Sequence, residues 1–107
     1  MSKDQKSDET ILEEAQRTVV ERGKSYDHPL TNHARIARFW NAWIKGKYGA
    51  EFELDPEDIT WMMIFVKASR DMHVPKRDNL VDVAGYAHCT QECREPTGLV
   101  DPKPLRQ

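Results

Sequence analysis

Helix-start signals recur along this chain, and they constrain its fold more than any other feature. Thr10 followed by Glu13 forms a capping-box pattern ahead of apolar positions spaced three and four residues apart. Pro29 suits the first turn of a second helix, where no amide donor is needed. Asp55 and Pro56 supply an N-cap and a first-turn proline for a third. The sequence therefore predicts helices rather than strands.

The helix boundaries follow from these starts and from the glycines and prolines around them. We predict four helices, at about residues 10–22, 29–45, 56–71 and 77–93. Gly23 is expected to end the first helix and Gly46 to follow the second, while Pro75 separates the third from the fourth. The predicted fold class is all-α, a compact four-helix bundle. Its organisation is a flexible segment at 1–9, a helical domain at 10–93 and a flexible tail at 94–107.

Two apolar stretches predict which helix faces are buried. Helix 2 carries one apolar stripe, formed by Ile36, Phe39, Trp40, Trp43 and Ile44. Helix 3 contains the apolar run WMMIFV at 61–66, whose width implies burial on most sides. A chain of 107 residues buries only about two-thirds of its unfolded surface, so a single core is expected.

Charge and apolar content exclude several classes of protein. The net charge is −2 with Lys and Arg spread along the chain, so duplex nucleic acid is not an expected partner. No apolar run approaches the roughly 18 residues of a membrane span, and the N-terminus lacks the apolar core of a signal peptide. We expect a cytoplasmic protein without membrane association. Cys89 and Cys93, one helical turn apart, are poorly placed for a disulfide and are expected to be reduced thiols.

Two acids one helical turn apart, Asp78 and Asp82, give the strongest indication of a binding site. On a helical wheel they share a face with Gly85 and Cys89, which suggests that something packs or binds there. The opposite arc is apolar and consists of Leu80, Val83, Ala84 and Ala87. Two carboxylates at this spacing repel each other, and Mg²⁺ would relieve the repulsion. The alternative is a helix surface whose acids are neutralised by a neighbouring Lys or Arg.

Charged side chains on two other helices could complete such a site. Glu14 and Glu21 lie on one flank of helix 1, where they could face helix 4 across a cleft or remain solvated surface charges. Lys67 and Arg70 on helix 3 suit recognition of a polyphosphate. Alternatively, they pair with the acids of helix 4.

The segment before helix 2 predicts contacts with a base or a ribose. It brings together an aromatic ring, an imidazole, an amide and a guanidinium, carried by Tyr26, His28, Asn32 and Arg35. In the alternative interpretation, His28 caps helix 2 and Tyr26 packs on the core.

Residues 77–87, RDNLVDVAGYA, resemble the metal-binding helix of the MazG-like all-α nucleoside triphosphate pyrophosphohydrolases. The resemblance implies a Mg²⁺ site in which Asp78 and Asp82 join the glutamates of an EExxE helix. It also implies cleavage of a nucleoside triphosphate to a monophosphate and pyrophosphate, in which Lys67 and Arg70 would stabilise the developing charge. Members of that superfamily complete their site across a dimer, so a homo-oligomer is expected.

The EExxE pattern itself is only partly matched on helix 1. Glu13 and Glu14 stand where the paired glutamates would be, and Arg17 stands at the position of the third. Glu21, one turn further on, would take its place. The metal ligands implied by the resemblance are therefore Glu14, Glu21, Asp78 and Asp82.

Four motifs are also similar to a group of small bacteriophage proteins. They are RGKxYxxP at 22–29, NxxRIAxxW at 32–40, KxxR at 67–70 and RDNxVDxAGYA at 77–87. This resemblance spans residues 10–93 and implies a phage-encoded protein in the cytoplasm of the host, without implying an activity. Two hypotheses follow. One is a Mg²⁺-dependent hydrolase, and the other is a non-catalytic helical protein that binds a host protein or sequesters a nucleotide.

Overall fold

The computed structural model describes residues 8–96, which form four α-helices and short connections. The helices are α1 (Ile11–Tyr26), α2 (Pro29–Tyr48), α3 (Pro56–His73) and α4 (Arg77–Arg94). No strand occurs within 8–96, which confirms the predicted all-α fold and the four-helix bundle. The flexible segments predicted at 1–9 and 94–107 lie largely outside the described residues. The last helix ends one residue beyond the predicted domain.

The helices begin where the sequence predicts. At the start of α1, Thr10 Oγ1 accepts a hydrogen bond from the Glu13 amide at 3.1 Å, and the Glu13 carboxylate accepts one from the Thr10 amide at 2.9 Å. Asp55 and Asp58 make the same reciprocal pair at the start of α3, where Pro56 occupies the first turn. These caps satisfy amide groups that the first turn of a helix otherwise leaves without a partner.

Two helices continue through glycines that were expected to end them. Gly23 lies inside α1, which ends only where Asp27 adopts a φ of 71°. Gly46 lies inside α2, which is closed by Gly49 at a φ of 66° with its N–H donating to Lys45 O at 2.9 Å. A glycine inside a helix costs only about 1 kcal/mol relative to alanine, which is too little to end a helix by itself. Each helix instead ends at a residue with positive φ, which is Asp27 in α1 and Gly49 in α2.

The partner of α4 on one side is α3, and the two helices run antiparallel. Thr60 near the start of α3 meets Thr90 near the end of α4, with their buried hydroxyl oxygens 2.7 Å apart. At the other end, Asn79 donates to the Asp71 carboxylate at 3.1 Å. Polar side chains therefore fix the register between these two helices.

On its other side α4 packs against α1, and these two helices run parallel. Arg77 pairs with Glu14 at 3.1 Å near the start of both helices. Further along, a Cβ placed at Gly85 would lie 3.5 Å from Val19 Cγ2, an ordinary packing distance. Helix α1 is thus what packs against the acid-bearing face of α4.

The burial of α2 and α3 differs from the prediction of fully apolar core faces. In the α2 stripe, Phe39 is 72% exposed and Trp43 is 66% exposed. In the α3 run, Phe65 is 69% exposed, whereas the buried positions of that helix are Ile59 and Thr60. A chain with four short helices gives each outer helix neighbours on one side only. An apolar stripe wider than that side therefore remains at the surface.

The apolar arc predicted on α4 is not its core face. Leu80 is 50% exposed and Ala87 is also exposed. The buried apolar positions are Val81 and Cys89, and the Asp82 side chain is only 15% exposed. Helices α1 and α3 supply charged partners to Asp82, which makes burial of that face possible, and this agrees with the expectation that something packs there.

Candidate functional site

Helices α1, α2 and α4 enclose a cavity of about 410 Å³, to which α3 contributes Met63. We call this cavity the central cleft. Its volume lies within the range of small-molecule sites, about 300–1,000 Å³. Apolar side chains form much of its wall. Its polar lining comprises Thr18, Arg22, Tyr26, Asp27, Asn32, His33, Asp82 and Tyr86.

Three residues predicted from the sequence line the central cleft: Tyr26, Asn32 and Asp82. A fourth, Lys67, reaches the same place, because its Nζ lies 3.1 Å from Asp82 Oδ2 and both side chains are 15% exposed. The fold therefore brings together Tyr26 and Asn32, which were predicted to contact a base or ribose. Lys67, predicted to bind phosphate, and Asp82, predicted to bind a metal ion, lie beside them. The pairing of Lys67 with an acid of α4 was the alternative considered from the sequence.

Arg22 is a cleft residue that sequence reasoning did not single out. Its Nη2 lies 3.8 Å from Asp82 Oδ1, across the gap between α1 and α4. A signal was present, since Arg22 opens the RGKxYxxP motif. That signal was missed because helix 1 was expected to end at Gly23, and the residues after it were read as a loop.

His28 and Arg35 make contacts other than the predicted base or ribose contacts. His28 is buried and caps α2, with its Nδ1 accepting a hydrogen bond from the Leu30 amide at 3.1 Å. Arg35 Nη2 donates to Asp27 Oδ2 at 3.1 Å, and neither His28 nor Arg35 lines the central cleft. For His28 the structure matches the alternative in which it serves as a helix cap.

Three of the four predicted metal ligands take part in ion pairs. Besides Asp82, Glu14 pairs with Arg77 at 3.1 Å and Glu21 with Arg17 at 3.7 Å. Asp78 lies half-buried in the first turn of α4. Within residues 8–96, no three His, Cys, Asp or Glu side chains are grouped so that they could hold a metal ion. These donors do not fit a metal held by one chain alone, and the Mg²⁺ site stays a prediction.

Two aromatic groups of the cleft are held neutral by burial. Burial raises the pKa of Tyr86, with smaller effects from nearby charges that include Arg22, Asp82 and Arg70. Arg70, a predicted phosphate contact, does not line the cleft. Burial also lowers the pKa of His33, whose ring meets Tyr86 edge-on at a centroid distance of 6.0 Å. This part of the wall offers hydrogen-bonding groups without charge.

The two cysteines are free thiols, as expected from their spacing. Burial raises the pKa of Cys89, which lines the cleft, to about 12 and that of Cys93 to about 11. Because the thiolate is the nucleophile, neither group is suited to covalent catalysis at neutral pH. Chemistry in the cleft would depend on its charged and hydroxyl groups.

These features define an all-α protein with a charged cleft between its helices, in which no helix of the described range is long and apolar enough to cross a membrane. The chain belongs to the family described as Domain of unknown function (DUF6378), whose model matches residues 10–94. It is 39% identical over 88 residues to the Gene 55 protein of Mycobacterium phage L5. It is 37% identical over 89 residues to the Gene 55 protein of Mycobacterium phage D29.

Both matches cover 81% of this chain, but only 53% and 55% of the two relatives. The chain thus spans about half the length of the curated relatives it matches. No solved structure matches the chain significantly. The matches confirm the predicted phage protein family. They do not bear on the resemblance to MazG-like hydrolases, which stays a prediction.

Proposed function

We propose that the protein binds a nucleoside triphosphate in the central cleft and hydrolyses it to a nucleoside monophosphate and pyrophosphate. The observation that carries this proposal is a cavity of about 410 Å³ in which Arg22 lies beside aromatic and amide groups, with a second cation, Lys67, paired to the lining residue Asp82. Cations recognise phosphate, and aromatic rings stack on bases. A small cavity with both kinds of group suits a nucleotide.

In this proposal the two parts of the ligand meet different parts of the wall. Tyr26 and Tyr86 offer ring faces to the base, and Asn32 offers an amide that donates and accepts hydrogen bonds. The phosphates lie toward Lys67 and Arg22. The neutral aromatic groups would therefore recognise the base, and the charged groups would recognise the phosphates.

Hydrolysis is the more demanding part of the proposal. Water attacks the α-phosphorus and forms a new P–O bond, while the bridging P–O bond to the β-phosphate breaks and pyrophosphate leaves. Lys67 and Arg70 stabilise the charge that develops on the phosphate oxygens. We propose that Mg²⁺ would enter bound to the phosphate oxygens of the nucleotide and to water, where it would neutralise part of the phosphate charge without displacing Lys67 from Asp82.

A homo-oligomer is also part of the proposal. Its support is the set of large apolar side chains left at the surface, with Phe39, Trp43 and Phe65 each at least 66% exposed. Surfaces of this kind are typical of protein interfaces. Light scattering on the wild type and on Phe39→Ser with Trp43→Ser tests it, and a monomeric wild type would contradict it.

One observation favours a second candidate, a non-catalytic protein that sequesters a nucleotide or binds a host protein. The carboxylates Glu14, Glu21 and Asp82 already have cationic partners, so none of the three is a free base for activating water. The same cleft would then hold a nucleotide without cleaving it.

The experiment is a panel of nucleoside triphosphates with Mg²⁺, followed both for binding and for release of pyrophosphate. Tyr26→Ala is expected to weaken binding, whereas Tyr48→Ala, an exposed tyrosine outside the cleft, serves as the matched control. Binding with pyrophosphate release supports the hydrolase. Binding without release supports sequestration, and no binding to any triphosphate overturns the nucleotide proposal.

A further inference from the structure

Arg22 and Asp82 line the central cleft, and Lys67 contacts Asp82 from α3. Lys67 Nζ lies 3.1 Å from Asp82 Oδ2, and Arg22 Nη2 lies 3.8 Å from Asp82 Oδ1. We call these three residues the Asp82 cluster. The Lys67 and Asp82 side chains are each 15% exposed, so water and salt screen their charges less than those of a surface pair. At neutral pH the cluster carries one more positive charge than negative.

The contacts with Asp82 leave donor groups available on both cations. An ammonium carries three N–H donors and a guanidinium five, and one carboxylate cannot engage them all. The Arg22 contact of 3.8 Å is longer than a hydrogen bond. Asp82 therefore holds Arg22 nearby by charge while the N–H groups of its guanidinium can still bind an anion in the cleft.

The same arrangement opposes a divalent cation at Asp82. A metal bound to this carboxylate would either lie beside the Lys67 ammonium or displace it. Displacement would leave a mostly buried charge without its counterion, which is strongly unfavourable. An anion avoids both the repulsion by Lys67 and its displacement, because it would interact with Lys67 and Arg22 and leave their contacts with Asp82 in place.

We propose that the Asp82 cluster is a phosphate-binding site that works without a metal ion. Lys67 and Arg22 contact the phosphate, and Asp82 is a positioning residue that holds the two cations together. This inference rests on the proposed function, since the phosphate is that of the nucleotide in the cleft. Free pyrophosphate shares the same chemistry, and the test separates it from the nucleotide.

The test is calorimetric titration of the full chain with a nucleoside triphosphate and, separately, with pyrophosphate, each in EDTA and in Mg²⁺. In EDTA, Arg22→Gln and Lys67→Gln are expected to weaken binding by about tenfold or more, the usual effect of losing a charge-assisted contact. Asp82→Asn is expected to weaken binding in EDTA by less than the loss of either cation, because both cations remain but the carboxylate that holds them together is gone. The matched control is Arg17→Gln, on the same helix as Arg22 but outside the cleft lining.

Folding is checked by circular dichroism and thermal unfolding for every variant. Lys67 is mostly buried, so Lys67→Gln is scored only when both measurements match the wild type. Arg22 is 53% exposed, and Arg22→Gln therefore gives a test that does not depend on the buried position.

The remaining outcomes are distinct. Binding that requires Mg²⁺ and is lost in Asp82→Asn overturns the inference in favour of a metal ligand. Triphosphate binding in EDTA that neither Arg22→Gln nor Lys67→Gln changes overturns the inference but leaves the proposed function. Pyrophosphate binding that depends on both cations, without triphosphate binding, supports the phosphate site and overturns the nucleotide function. No binding in either buffer overturns both.

Discussion

His28 Nε2 lies 3.6 Å from Glu92 Oε1, and this contact joins the start of α2 to the end of α4. Both side chains are buried. The other ring nitrogen of His28 accepts a hydrogen bond from the Leu30 amide, so in the neutral ring the proton is on Nε2 and faces Glu92. One histidine thus caps a helix and contacts a buried carboxylate of another.

Substitution of His28 is expected to separate these two roles. His28→Ala removes the cap, which costs about 1 kcal/mol, and also the buried contact with Glu92, so it is expected to destabilise the fold by more than the loss of the cap alone. His28→Asn keeps a side-chain acceptor for the Leu30 amide and should recover the contribution of the cap. Urea unfolding measures both, and equal stability of the two variants would show that the cap contributes nothing.

His33 is expected to make folding less favourable in mildly acidic solution. Its Nδ1 donates to Pro29 O at 2.7 Å, and burial lowers the pKa of the ring below its ordinary 6.5. At a pH between the folded and the unfolded pKa of His33, the unfolded chain therefore binds a proton at this ring and the folded chain does not. The free energy of unfolding should decrease as the pH falls below about 6.5 and level off below the folded pKa.

The control for this pH dependence is His33→Gln, compared with the wild type between neutral pH and pH 5. The chain has three other histidines, so the difference between the two pH profiles isolates His33. Parallel profiles would contradict the prediction.

Asn41 is expected to hold the loop between α2 and α3 in place. Its Nδ2 donates to Leu54 O at 3.0 Å, and its Oδ1 accepts from the Leu54 amide at 2.7 Å. Asn41→Ala leaves both backbone groups without this partner and should lower the free energy of unfolding by about 1–3 kcal/mol. Arg38→Ala, at an exposed position on the same helix, is the control and should change it by under about 0.5 kcal/mol. Equal effects of the two substitutions would be inconsistent with such a role.

The two thiols are expected to react slowly while the protein is folded. With a pKa of about 11, Cys93 has at pH 8 a thiolate fraction roughly a hundredfold smaller than a thiol at the ordinary 9.0. Cys89, with a pKa of about 12, has a still smaller thiolate fraction and is also buried. Iodoacetamide labelling followed by mass spectrometry should be slow in buffer and fast in denaturant. Fast labelling of Cys89 in buffer would show that the cleft opens.

Helix starts were predictable because each depends on residues within one turn. Thr10 with Glu13 and Asp55 with Pro56 fix their helices by local hydrogen bonds and a local backbone preference. Helix ends were less predictable, since Gly23 continues a helix that a local rule would stop. The difference is that packing against α4 outweighs the local cost of glycine.

In the candidate site, too, some residues could be predicted from the sequence and others became evident only in the structure. Asp82, Lys67, Tyr26 and Asn32 could be named from the sequence, since each carries a group suited to phosphate or base recognition. Arg22 and Tyr86 were not singled out although both lie in the quoted motifs, because their importance lies in which helices meet around them. The predicted contact role of His28 likewise gave way to a cap that also faces Glu92, a residue 64 positions away.

By itself, the sequence determined the all-α class, the four helix starts, the phage family and the presence of a charged face on α4. Only the tertiary structure decided that this face is inward, that Lys67 and Arg22 neutralise Asp82, and that Phe39 and Trp43 lie at the surface. The physical reason is the distance along the sequence over which each kind of interaction acts. Caps and helical periodicity act within a few residues, whereas burial and ion pairing depend on which distant segments pack together.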